Sequence, residues 1–155
     1  MSSSIISLYR NNAINVAVDL LLNDYHFFST IEQHKNQDNF YVYDSSTGKY
    51  LLDAEVFIFD KLNEIFPNQF KHYSHIRDII NDIQKYSPII PNDQVDPSHI
   101  INYNNGIYDK NQNKLLPHSP NFYTTKQIPT NYIQQEQQSS LVKHAKSLEL
   151  LNYID

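Results

Sequence analysis

No cysteine occurs among the 155 residues, which excludes disulfides and thiolate metal sites and fits a reducing compartment. Glycine is almost as scarce, with two in the whole chain. A phosphate-binding P-loop needs several glycines so that backbone amides reach the phosphates, followed by a lysine and a hydroxyl residue. With glycine only at 48 and 106, the sequence has no such loop. Thr47-Gly48-Lys49 matches the end of that motif without its upstream glycine and reads as a hairpin turn. No serine lies between the two glycines that a nucleophile elbow requires. Long apolar runs are missing too: Val56 to Phe59 falls far short of the roughly 20 residues that span a bilayer. Met1-Ser2-Ser3-Ser4 lacks the basic start of a secretory signal. The expected location is therefore cytoplasmic, with no membrane partner. Positive charge is also short, with 12 Lys plus Arg against 17 Asp plus Glu and a net charge of −5. The domain as a whole is not the basic surface of an autonomous nucleic-acid binder, so DNA contact requires a local patch or an attached partner.

What is present is ordered periodicity. Asn11 or Asn12 is placed to cap a first helix in which Ile14, Ala17, Val18 and Leu21 recur at helical spacing, ending at Asn23-Asp24. After a polar stretch from Glu32 to Asn39, Phe40 to Leu52 reads as two aromatic-rich strands around a turn that Gly48 supplies. Asp53 then fits an N-cap, with Val56, Phe59, Leu62 and Phe66 as the apolar positions of a second helix that Pro67 stops. Ser74 precedes Ile76, Ile79, Ile80 and Ile83, the cleanest amphipathic pattern in the chain. Pro88, Pro91 and Pro97 mark a connector. Asn105-Gly106 permits a tight reversal, and the polar run Asp109 to Asn113 separates Ile107-Tyr108 from Leu115-Leu116, the layout of a short hairpin. Gln127 to Gln138 reads as a linker, and Leu141, Ala145, Leu148 and Leu151 as a last helix. The expected fold is α+β, a single domain of helices packed on small antiparallel β-hairpins. Its body spans 1–132, with a linker and C-terminal helix over 133–155.

Catalytic chemistry has little to stand on. His72 and His75 are spaced i, i+3 but lack a third ligand in register. The carboxylates show no paired catalytic spacing and fit helix starts and polar faces. No catalytic residue, metal or cofactor is expected. Alternation sets Phe40 and Val42 on one strand face and Tyr41 and Tyr43 on the other, so the tyrosines either stack on bases or belong to the core. Lys110, Lys114, His118 and Lys126, with Tyr123, form a small basic and aromatic segment. Of these, Lys110, Lys114, Tyr123 and Lys126 are the candidate nucleic-acid contacts, while Gly48, Asn105 and Gly106 are turn residues.

Taken in order, several segments resemble a known family. They are Phe40-Tyr41-Val42-Tyr43-Asp44, Gly48-Lys49-Tyr50, the Ile76 to Ile83 helix, Asn105-Gly106-Ile107-Tyr108-Asp109, Leu116-Pro117-His118-Ser119-Pro120 and Thr125 to Tyr132. Together they resemble the region just before the motor in poxvirus-type and phage or plasmid primase-helicases, over about residues 13–132. The resemblance implies an adaptor between a primase module and a superfamily 3 AAA+ helicase that forms a hexameric ring on DNA. Its implied partners are the helicase motor domain or subunits, single- or double-stranded DNA, and further copies of the chain in a full-length protein. Neither primase residues nor a Walker motor stand in this sequence. The expectation is thus a fragment of a replication protein or a short stand-alone relative, without the family's catalytic activity. A protein-interaction or oligomerisation module without DNA contact is the alternative.

Overall fold

The computed structural model describes residues 2–31, 38–70 and 73–134. The chain is α+β, and its contacts fall into two compact units: residues 1–97 with 119–126, and residues 98–118 with 127–155.

In the first unit, α1 (Ser2–Asp24) is followed by β1 (Phe27–Ile31), β2 (Asp38–Asp44), β3 (Lys49–Leu52), α2 (Ala54–Ile65) and α3 (Tyr73–Tyr86). Helix α1 starts well before Asn11 and Asn12, which are interior and not caps. No glycine or proline interrupts residues 2–24, and one asparagine costs a helix only a few tenths of a kcal/mol, roughly. The inward stripe is as expected, with Ile14, Ala17, Val18 and Leu21 all buried. Helix α3 likewise buries Ile76, Ile79, Ile80 and Ile83.

Helix α2 departs from expectation. Asp53 precedes it, but at φ 73 and with no side-chain cap hydrogen bond. The buried stripe is Ala54, Ile58 and Leu62, whereas Val56 is 59% and Phe59 41% exposed. The segment AEVFIFDKLNEI is apolar on more than one face, so periodicity alone does not choose between stripes. Packing against the rest of the core decides which one faces inward. Phe66 N–H still closes onto Leu62 O at 2.9 Å, and Pro67 follows, disfavouring continuation.

The expected hairpin of β2 and β3 is present with Tyr43 opposite Tyr50, and β1 adds a third antiparallel strand with Phe28 opposite Tyr41. Strand β1 was not anticipated from sequence. Its outer edge is closed by the proline connector: Ser29 N–H donates to Pro88 O at 3.0 Å and Ile90 N–H donates to Ser29 O at 2.8 Å. An unpaired edge would leave these groups as a template for aggregation. One sheet face sends Phe27, Phe40 and Val42 into the core shared with α1, α2 and α3. The other forms an aromatic cluster of Phe28, Tyr41, Tyr43, Tyr50 and Tyr123, with Ile90 and Val95. Both faces are packed.

The second unit is built on β4 (Ile100–Tyr103), β5 (Gly106–Asp109) and β6 (Lys114–Leu116), antiparallel in that order. The expected β5–β6 hairpin pairs Ile107 with Leu116 and Tyr108 with Leu115. Gly106 has φ 152. Residues 127–132, expected as linker, run along β4 in part: Tyr103 and Ile128 form a parallel bridge, Ile128 N–H donates to Asn102 O at 2.8 Å, and Asn104 N–H donates to Thr130 O at 3.0 Å. The expected last helix and His72 lie outside the described residues.

Candidate nucleic-acid interface

The β2–β3 turn explains one of the two glycines. Gly48, at φ 83, donates its N–H to Asp44 O at 2.8 Å. The Asp44 carboxylate accepts from the Ser46 hydroxyl at 2.7 Å, the Ser46 N–H at 3.1 Å and the Thr47 hydroxyl at 2.9 Å. The hydrogen bond from the Ser46 side chain is the main cause holding this carboxyl below its ordinary value. On the adjoining strand, Tyr50 is buried and donates its hydroxyl to Pro120 O at 2.6 Å. Burial raises its phenol far above the ordinary tyrosine value, with smaller contributions from Tyr123 and Tyr43.

The four candidate contacts divide between the two units. In the second unit Lys110 and Lys114 are exposed at the two ends of the β5–β6 turn. Lys114 lies opposite Asp109, whose carboxylate accepts from the Asn111 N–H at 2.9 Å. In the first unit Lys126 is exposed, while Tyr123 is half-buried. The Tyr123 ring meets Phe28 edge-on at 5.1 Å and Tyr50 at 5.9 Å, so part of its π surface is already covered. Next to it, Asp96 fastens the segment 119–126: its carboxylate accepts from Thr125 N–H at 2.7 Å and from the Thr125 hydroxyl at 2.5 Å.

Three polar residues have structural work within the second unit. Asn105 binds the backbone of Tyr132 twice, donating its amide to Tyr132 O at 3.0 Å and accepting from Tyr132 N–H at 2.8 Å. His118 Nε2 lies 3.0 Å from Asn102 Oδ1 and 2.8 Å from Tyr103 O. Asn102 Oδ1 also accepts from Gln127 Nε2 at 3.0 Å. The Tyr132 ring stacks on Tyr108 at 4.5 Å. His118 is therefore part of the interior wiring and not of a free basic patch.

A cleft of about 270 Å³ in the first unit, which no sequence signal marks, is lined by Tyr25, His26, Tyr86, Asn121 and Tyr123 among others. It lies where α1 and α3 both end, against the returning segment 119–126. A second groove, of about 190 Å³, between α2 and α3 is lined by Val56, Phe59, Ile76 and Ile80. The exposed pair Glu55 and Arg77, 3.2 Å apart, flanks it. Among the described residues no cluster of three His, Asp or Glu side chains fits a metal ion, and no helix is long and apolar enough to cross a membrane.

Against known proteins, the model of the family described as "D5 N terminal like" matches residues 29–148. No curated protein matches the chain. The family match begins within β1, spans β2 to β6 with α2 and α3, and agrees with the ordered motifs from Phe40 to Tyr132. The chain belongs to the D5 N-terminal-like family, the N-terminal domain of D5-type primase-helicases.

Proposed function

We propose that this chain is the pre-motor accessory domain of a viral, phage or mobile-element DNA primase-helicase, positioning the superfamily 3 motor subunits and the entering DNA during replication. The family match over residues 29–148 carries this reading. Lys110, Lys114 and Lys126, all exposed, supply phosphate contacts, with Tyr123 as a partly covered stacking ring. Contact of this kind releases counterions, so affinity falls steeply with salt, and each phosphate-binding lysine adds about 1 to the log-log slope. Fluorescence anisotropy with labelled single-stranded and duplex oligonucleotides across a salt series measures this. The expected result is weak binding whose slope drops in the Lys110→Glu/Lys114→Glu/Lys126→Glu variant. Equal binding by wild type and variant refutes the lysine contacts.

The net charge of −5 and the exposure of Val56 and Phe59 favour a second reading, a protein-interaction or oligomerisation module without DNA contact. Sedimentation of the chain alone and with the AAA+ motor of the same primase-helicase separates the two. Association with the motor in the absence of any DNA binding selects the second.

A further inference from the structure

The cleft at the ends of α1 and α3 has a chemistry of its own. Its rim is aromatic: Tyr86 is 66% exposed, and Tyr25, His26 and Tyr123 line the same space. Asn121 also lines it and is exposed, and its amide offers both a donor and an acceptor. Two cations stand on the rim tyrosines. Lys85 Nζ lies 5.7 Å from the centroid of the Tyr86 ring, and Lys61 Nζ lies 5.7 Å from that of Tyr25. Lys61 also pairs with Glu64 at 3.3 Å.

Among the described residues no lysine or arginine lines the cleft, and it lies at the C-terminal ends of α1 and α3, each of which carries partial negative charge. An anion is disfavoured inside, while a flat ring bearing N–H donors is favoured. From these observations we infer that the cleft seats one unpaired nucleobase of a single strand. The base stacks on Tyr86 and is read along its edge by the Asn121 amide, while the flanking phosphates lie outside against Lys85 and Lys61. A base within a duplex is stacked on both faces and does not enter. Exocyclic amino groups suit the partial negative charge of the helix ends, so the bases that carry one, cytosine, adenine and guanine, are preferred over thymine. This rests on the reading of the chain as part of a DNA-replication protein, but uses none of Lys110, Lys114, Tyr123 and Lys126 as the primary contact.

The test uses the full chain and labelled oligodeoxycytidine of about a dozen nucleotides, within the usual span of single-strand sites, beside an abasic strand of equal length and oligothymidine. The expected order is cytidine, then thymidine, then abasic. Tyr86→Ala weakens cytidine binding by about 10-fold or more, as removal of a stacking ring does, and leaves abasic binding unchanged. Tyr86→Phe keeps wild-type affinity, and Asn121→Ala narrows the gap between cytidine and thymidine. Because Tyr86 is largely exposed, its replacement leaves the fold intact, which the melting curve verifies. Equal affinity of wild type and Tyr86→Ala, equal affinity for cytidine and abasic strands, or no binding at low salt each overturns the inference. Tyr86-dependent binding together with no association with the motor upholds the base site and removes only the accessory-domain reading.

Discussion

Gly106 offers the sharpest test of the second unit. Its φ of 152 lies where side chains with a Cβ are strained, which costs about 1 to 3 kcal/mol. A Cβ built there also comes within 2.5 Å of Leu116 O and within 3.2 Å of Leu115 Cγ. The first of these is backbone, so relief requires β6 to shift away from β5. That movement weakens the pairs Ile107 with Leu116 and Tyr108 with Leu115, at about 1 kcal/mol per compromised hydrogen bond. Gly106→Ala should therefore cost about 2 to 4 kcal/mol in total, and Gly106→Val at least as much. For a chain of this size each kcal/mol lowers the melting temperature by about 2 to 4 °C. Gly48 serves as the internal control. At φ 83 it lies near the left-handed region that asparagine visits, so Gly48→Asn should be milder than Gly48→Ala. At Gly106 the two replacements should be equally damaging, because asparagine does not relieve a Cβ collision. Thermal melting, with hydrogen exchange of the amides of residues 107–109 to localise the loss, reads the result. A Gly106→Ala protein melting within about 1 °C of wild type, or rescued by asparagine, refutes the geometry.

Two other outcomes follow from burial and hydrogen bonding. Ile80 is buried, so Ile80→Asp places an unpaired charge in the core and should cost about 3 kcal/mol or more, whereas Ile80→Leu should stay within about 1.5 kcal/mol; a tolerated aspartate in urea unfolding would put that α3 face in solvent. The Asp44 carboxyl is held below its ordinary value of 3.8, chiefly by the Ser46 side chain, so its stabilisation is fully present above that value and disappears as pH falls through the lower folded-state value. Asp44→Ala should cost about 1 kcal/mol near neutral pH, solvent exposure having discounted a charged hydrogen bond, and the difference from wild type should shrink progressively as pH falls below 3.8; a difference that does not shrink would assign the cost to something other than the ionised carboxylate.

Sequence reasoning served best where one apolar stripe had no rival. Ile76, Ile79, Ile80 and Ile83 leave a single way to bury α3, and in α1 the expected stripe of Ile14, Ala17, Val18 and Leu21 is the buried one although Val16 stands exposed beside it. On α2 it found the helix, its stop at Pro67 and the buried Leu62 but not the inward face, where Val56 and Phe59 compete with Ala54 and Ile58 and only tertiary packing decides. Strand β1 escaped because Phe27 to Ile31 is too short to announce itself, and although β2 follows it closely, its outer edge is completed by residues 88–90, far along the chain. The β4 to β6 sheet was visible through Asn105-Gly106 and the polar run that follows. The lysines were legible as charges, but not their division between two units. The cleft was not legible at all, since Tyr25, Tyr86 and Asn121 come from three separated segments and only the ends of α1 and α3 bring them together. His118 shows the opposite error, a titratable side chain that looks available in sequence and is committed to Asn102 and Tyr103 in the fold.

The pairing of residues 127–132 with β4 has a mechanical consequence. Ile128 runs parallel to Tyr103, and three successive ties hold the segment: Ile128 to Asn102, Thr130 to Asn104, and Tyr132 to Asn105. Tension applied beyond Tyr132 along the strand axis loads these ties together in shear, whereas tension applied sideways strips them one at a time, beginning with the two bonds of Asn105. The β4 edge is therefore stiff to a pull in one direction and yielding in the other, and Asn105→Ala should lower the threshold for sideways detachment most.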